Sequence, residues 1–303
     1  MTVVEPIFAA QPDSEPEATT PFELSLPERT SSPLVFASPH SGRIYPDDLV
    51  AASALDALAL RRSEDAFVDR FVMGAREHGV AAIACGVARA YVDVNRDPWE
   101  LDPAMFEDAL PAFARSQSAR VAAGLGSIAK VVGEGQAIYR RKLRFSEAAG
   151  RIARVHAPYH QALRGLVEAA HEGFGRAVLI DWHSMPSAAV KAEQRRGRGR
   201  PDVVLGDRHG EACARGLTAL VRREFEAMGY AVALNRPYAG GYTTQSYGRP
   251  AEGRHALQIE LNRSLYLDEA RLEPAAGFER LKADLDRLAV TLAAADWSAV
   301  LRG

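Results

Sequence analysis

Cysteine is scarce in this chain, and long hydrophobic runs are missing. Only Cys85 and Cys213 occur in 303 residues, in separate segments and without C-x-x-C spacing. That excludes a disulfide framework and a thiolate zinc site, so any metal must be held by histidine and carboxylate. No run reaches the roughly eighteen apolar residues of a membrane span. The N-terminal region lacks a basic stretch followed by an apolar one, so export is not indicated and a cytoplasmic protein is expected. Charge of one sign is not in excess either: 37 basic against 39 acidic residues leave −2. No overall field recruits nucleic acid or an anionic membrane, and the expected partner is a small molecule. Internal repeats, a G-x-S-x-G nucleophile elbow and an H-E-x-x-H metalloprotease helix are also missing.

What is present is an ordinary soluble composition, 47% apolar and 25% charged, in a chain long enough for one large α/β domain or two small ones. Residues 1–32, rich in Pro, Glu, Thr and Ser without sustained period, are expected to form a loosely attached arm. Residues 33–303 are then a single α/β domain. Its organising stretch is 177–186, where Val178, Leu179 and Ile180 read as a strand buried on both faces that delivers Asp181, His183 and Ser184 to a polar loop. Ligands of open α/β sheets bind beyond the carboxyl ends of strands. The layout recurs at 34–42, where an apolar run leads to His40 and Ser41, so two strand-end histidines can meet at one sheet edge.

Further candidates follow along the chain. Apolar positions from Leu55 to about His78 predict helix, with Glu64 and Asp65 in a first turn, where they complement the helix dipole or serve chemistry. Strands are expected at 80–85 and 90–94, the second delivering Asn95 and Arg96; Arg96 can fork onto a carboxylate or pair with Asp93 or Asp97. Residues 112–130 and 134–172 are expected to be helical. There His156 and His160 lie four apart with Pro158 between them, and a structural or ligand-supporting role is expected. The basic segment 187–201 reads as a solvated loop, not a nucleic-acid arm. Strand and turn return at 203–207, a helix at 211–228 and a short strand at 230–234. Tyr242 and Thr243, after the Gly240-Gly241 pair, offer hydroxyls to a loop that covers substrate. In the strand at 255–263, Glu260 alternates with Leu257, Ile259 and Leu261, where an idle carboxylate is costly and a nearby cation would explain it. A final helix is expected at 274–294.

Together the segments Ser-Pro-His-Ser-Gly (38–42), Val-Asp-Val-Asn-Arg-Asp-Pro (92–98), Asp-Trp-His-Ser-Met-Pro (181–186), Leu-Gly-Asp-Arg-His-Gly (205–210) and Gln-Ile-Glu-Leu-Asn-Arg-Ser-Leu-Tyr (258–266) resemble the N-formylglutamate amidohydrolase family, over everything after residue 32. The resemblance implies a phosphorylase/hydrolase-like fold, a three-layer αβα sandwich with a mixed, mostly parallel sheet, related to zinc carboxypeptidases and aspartoacylases. By the same resemblance His40 and His183 are zinc ligands, Asn95 and Arg96 the pair that meets the substrate, and Glu260 the late catalytic glutamate. Position 43 is Arg where the wider relatives carry a ligand Glu, so the third ligand is expected from Asp65, with Glu64 as runner-up. Two imidazoles and a carboxylate leave one position open on zinc or another divalent ion, where a water can fall to a pKa of about 7. A dicarboxylate substrate needs a second cationic contact, for which Arg62, Arg249 and Arg263 are candidates. The implied reaction is hydrolysis of N-formyl-L-glutamate or a similar N-acyl amino acid, late in histidine breakdown. A carboxypeptidase or another deacylase on this scaffold is the alternative enzyme, and a non-catalytic metal or carboxylate binder the alternative of another class.

Overall fold

The computed structural model describes residues 20–195, 197 and 199–302. Its strands are β1 (Phe22–Ser25), β2 (Leu34–Ser38), β3 (Ala81–Cys85), β4 (Ala177–Met185), β5 (Val203–Gly206), β6 (Val232–Leu234) and β7 (Arg254–Asn262). They join in the order β1-β3-β2-β4-β7-β5-β6. β3, β2, β4 and β7 run parallel, whereas β1 is antiparallel to β3 and β5 to β7. β2, β3 and β4 are buried at every residue, as strands covered on both faces must be.

The helices used below are α1 (Val68–Val72), α2 (Phe145–Arg151), α3 (Ala157–Phe174), α4 (Ser187–Arg195), α5 (Arg215–Ala227), α6 (Tyr242–Tyr247) and α7 (Phe278–Ala293). On one face of the sheet Phe36, Val178, Ile180, Trp182 and Ile259 pack with Phe71 of α1, Phe225 of α5 and Leu285 of α7. On the other, Val35, Ala37, Leu179 and Ala256 pack with Tyr159 and Leu163 of α3 and with Tyr91, Leu101 and Ile138 from the largely irregular stretch before α2. This is the expected three-layer α/β arrangement around a mixed, mostly parallel sheet. Among the described residues no helix is long and apolar enough to cross a membrane.

The period of two along the strands places the chemistry. Ala177 and Leu179 of β4, and Ala256 of β7, point to the α3 side. Continuing that alternation puts Asp181, His183, Gln258 and Glu260 on the same face, nearer the carboxyl edge. The register pairs Asp181 with Gln258 and His183 with Glu260. β4 extends to Met185, so His183 sits inside the strand and not in the loop expected after Ile180.

Several expectations are corrected. The arm expected through residue 32 includes β1, which pairs with β3 and whose Ser25 hydroxyl donates to Met73 O at 2.6 Å; four residues between Pro21 and Pro27 are too short to display a period. Residues 1–19 lie outside the described residues. Residues 90–94 are buried but form no strand, because β3 already pairs with β1 on one edge and β2 on the other. Their backbone turns instead, with Tyr91 N donating to Ala88 O at 2.9 Å and Asp93 N to Ser127 O at 2.7 Å. Within 112–130 the helix is confined to Ala119–Ala122, ahead of Gly124 at φ 76°. Helix expected from 134 begins at Phe145. Conversely, part of the segment read as a solvated loop is α4.

Candidate active site

Three donor atoms converge where β2 and β4 end. His40 lies two residues beyond β2, His183 near the end of β4, and Asp65 three residues before α1. Asp65 N donates to His40 O at 2.9 Å, which ties the two loops together. His183 Nδ1 lies 3.1 Å from His40 Nδ1 and 3.1 Å from Asp65 Oδ2, and His40 Nδ1 lies 3.3 Å from Asp65 Oδ2. All three residues are buried.

The outer side of each donor is also engaged. His40 Nε2 meets Asp93 Oδ1 at 2.7 Å, His183 Nε2 meets Asp181 Oδ2 at 2.9 Å, and Asp65 Oδ1 accepts from Arg263 Nη2 at 3.0 Å. A carboxylate only accepts, so each ring carries a proton on Nε2, and an imidazole with no second proton turns a lone pair at Nδ1 inward. Three lone-pair donors facing one another repel unless a cation lies between them. Their spacing suits one: two ligands about 2.05 Å from a tetrahedral centre stand about 3.3 Å apart. His40, Asp65 and His183 can therefore hold a metal ion, in the carboxylate–histidine–metal pattern that fixes tautomer and ring orientation.

Without an ion the charges still organise the group. Burial opposes ionisation of Asp65, but hydrogen bonds from His183 and His40 outweigh it and hold its carboxyl well below the usual range. Burial likewise disfavours a charged His183, and the Asp181 and Asp65 carboxylates overcome it, raising its pKa. Asp93 is buried too, and Arg89, His40 and Arg96 keep it ionised.

Glu260, one strand over from His183, accepts from Gln258 Nε2 at 2.9 Å. Burial pushes its pKa up to about 7, helped by Asp65 and opposed by His183, Arg89 and Arg263. A carboxylate poised there can both take and give a proton near neutrality. Asn95 is held at both ends: Oδ1 accepts from Thr243 N at 2.8 Å, and Nδ2 donates to Asp181 Oδ2 at 3.4 Å. Gly241 is needed here, since a Cβ would fall 2.5 Å from the Asn95 amide. Arg96 is largely buried and donates from Nε to Leu125 O at 3.0 Å and from Nη1 to Asn95 O at 2.8 Å.

The remaining candidates have other partners. Glu64 turns away from the cluster, accepting from Tyr45 Oη at 2.6 Å and Arg61 Nε at 3.0 Å. Arg263, considered for substrate, is buried against Asp65 and Ser184 and also donates to Arg62 O at 3.2 Å. Arg249 bridges to Arg254 at the start of β7, six residues and about 20 Å of strand from Glu260. It lines a cavity of about 730 Å³ with Arg115, Arg120, Gln245 and Tyr242, and none of His40, Asp65, His183 or Glu260 reaches it. Thr243 supplies the backbone N–H already described, and its buried hydroxyl has no hydrogen-bond partner among the described residues.

Sequence reasoning assigned no site role to several residues that complete the group. Asp181 was readable, two positions before His183 on the same strand face. Asp93 was not, because its partner His40 is 53 residues away. Arg89 donates to Asp93 Oδ2 at 2.6 Å and is within electrostatic reach of Asp65 and Glu260. Tyr238, its hydroxyl pushed up to about 12 by burial and then by Glu260, borders the same charges; nothing local in the sequence marks either.

A family model described as N-formylglutamate amidohydrolase matches residues 32–267. The chain is 28% identical over 240 residues to an N-formylglutamate deformylase of Pseudomonas putida, covering 78% of this chain and 82% of that protein. It is 29% identical over 245 residues to the N-formylglutamate deformylase of Pseudomonas aeruginosa, covering 80% and 85%. The crystal structure of N-formylglutamate amidohydrolase from Ralstonia eutropha JMP134 is similar at a TM-score of 0.84 and 39% identity, over 90% of this chain and 97% of that one.

Proposed function

We propose that this chain, which belongs to the N-formylglutamate amidohydrolase family, hydrolyses the amide bond of N-formyl-L-glutamate to formate and L-glutamate. The observation that carries the proposal is the convergence of His40 Nδ1, His183 Nδ1 and Asp65 Oδ2 beside a buried Glu260 whose pKa is about 7. The names of the matched relatives support the substrate. His40, Asp65 and His183 would hold one divalent ion, with zinc suited to two nitrogens and an oxygen. When bound, it would polarise the formyl carbonyl and lower the pKa of a water to about 7.

The chain's own residues account for the rest. Glu260 takes a proton from the attacking water and returns it to the departing amine. Asp93 and Asp181 keep the proton of each ligand ring on Nε2. Arg263 holds the outer oxygen of Asp65, so it serves the ligand. Asn95, with both ends of its amide engaged, steadies Asp181, the carboxylate that orients His183. Arg96 holds a substrate carboxylate, and Arg89 is the second cation on that side of the site. The same reading puts the enzyme in the cytoplasm, late in histidine breakdown.

The test is turnover of N-formyl, N-acetyl and N-succinyl amino acids by metal-reconstituted protein. N-formyl-L-glutamate is expected to be the best substrate. Preference for another acyl group would make the protein a different deacylase, and no turnover of any member would make it a binder.

A further inference from the structure

Two imidazoles outside the cluster grip the turn that supports both ligand rings. Helix α2 passes into a π-helical segment, Ile152–His156, before α3 resumes with Pro158 in its first turn. Such wide turns within α-helices are rare and often accompany functional sites. This one sets the rings of His156 and His160 side by side, with centroids 4.5 Å apart. His156 Nε2 lies 2.9 Å from Arg96 O and His160 Nε2 lies 2.7 Å from Val94 O. A carbonyl only accepts, so both Nε2 atoms carry protons. The other nitrogen of His160, Nδ1, is 3.0 Å from Tyr247 Oη, which shares its one proton between that nitrogen and His160 O at 3.2 Å.

The gripped carbonyls flank Asn95 within a turn closed by Arg96 N donating to Asp93 O at 3.3 Å. From this turn Asp93 reaches His40 Nε2, and Asn95 donates to Asp181, the outer partner of His183 Nε2. We propose that His156 and His160 are positioning residues: by fixing the carbonyls of Val94 and Arg96 they set the outer partners of both metal-ligating imidazoles, and through them metal affinity. Burial lowers the pKa of both rings, so they stay neutral in the pH range where the enzyme would work. The inference rests on the amidohydrolase reading only for its kinetic readout; the metal readouts are independent of it.

The test compares Asn and Gln at each position in the full-length, zinc-loaded protein. Gln carries its amide N–H about as far as Nε2, while Asn stops near Nδ1, so the pair separates the hydrogen bond from ring volume. His156→Asn and His160→Asn are expected to weaken zinc affinity, measured by chelator competition well below Tm, by about 10- to 100-fold, the scale for losing a ligand's outer support. They should also shift the visible bands of the cobalt-substituted protein and lower kcat/KM. The Gln variants are expected to stay within about threefold of wild type in zinc affinity, well inside that range. Asn and Gln variants that lower Tm alike, with zinc affinity and cobalt bands unchanged, would overturn the proposal. Should the Asn variants fail to fold, Tyr247→Phe, which removes the hydroxyl shared by His160 Nδ1 and His160 O and leaves both imidazoles in place, is expected to reduce zinc affinity about threefold or more, and an unchanged affinity overturns it. A wild-type chain that binds zinc without hydrolysing N-formyl-L-glutamate would sink the reaction while the zinc and cobalt measurements still decide this inference. A wild-type chain that takes up no zinc would sink both.

Discussion

The carboxyl edge of β2, β4 and β7 and the cavity beside Arg249 are both rich in charge, yet they are built on opposite terms. At the edge, Asp65, Asp93 and Asp181 are buried and each engages named partners. In the cavity, Arg115 pairs with Asp97 at 2.9 Å, but its side chain is 72% exposed. A buried charge without partners costs several kcal/mol, so burial forces each group at the edge into one arrangement. An exposed pair contributes about 0–1 kcal/mol and constrains little. Charge alone therefore does not mark a reactive site; charge that folding has had to satisfy does.

The sharpest way to test that contrast is Glu260→Gln, which keeps shape and hydrogen bonding but cannot accept the proton. We expect a folded protein that retains zinc while kcat falls by about 10²- to 10⁴-fold. If zinc is lost along with activity while Asp65→Asn keeps its metal, Glu260 is a ligand and the roles exchange.

Next in size, Arg263→Met should free Asp65 Oδ1 and weaken zinc binding by about 10- to 100-fold. Unaltered metal affinity with a raised KM would return Arg263 to the substrate.

The third expectation concerns acid. Burial, and then repulsion from His156 once that ring is protonated, lower the pKa of His160 from the usual 6.5 to about 3. Below pH 6.5 the unfolded chain takes up a proton that the folded chain refuses, so this stabilisation is complete above 6.5 and is lost as pH falls toward 3. The slope is roughly 1.4 kcal/mol per pH unit. Thermal melts between pH 7 and pH 4 should show a shallower decline for His160→Gln than for wild type, and parallel curves would contradict this. The smallest effect belongs to the cavity: Arg249→Ala should change kcat/KM by less than about threefold, as expected of a surface side chain remote from the reacting atoms. A tenfold loss would show that substrate extends there.

Legibility followed the range of the causes. Apolar runs that end in His40 and His183 were visible because strand burial and strand ends are local properties. The pairing of His183 with Glu260 needed the strand order, which no single segment contains. Asp65 could be named before the structure only through the family resemblance, since by local pattern it and Glu64 were equal helix-start acids; Tyr45 and Arg61 draw Glu64 aside. Residues 90–94 have strand composition, but both edges of β3 are occupied, so the run became buried turns that carry Asp93 to His40. Four residues of β1 between prolines gave too little pattern to read.

The cross-strand match of His183 and Glu260 also acts as a ruler. Neighbouring strands stand about 4.8 Å apart because the peptide ladder between them fixes that distance. The proton acceptor and metal-ligating ring of the proposed function, mounted on adjacent strands, keep their spacing when surrounding loops are rebuilt. Under the proposed function, the loop from Asn235 through Tyr242, which carries Tyr238 and Gly241, can therefore be altered to change which acyl amino acid is admitted without resetting the distance between His183 and Glu260.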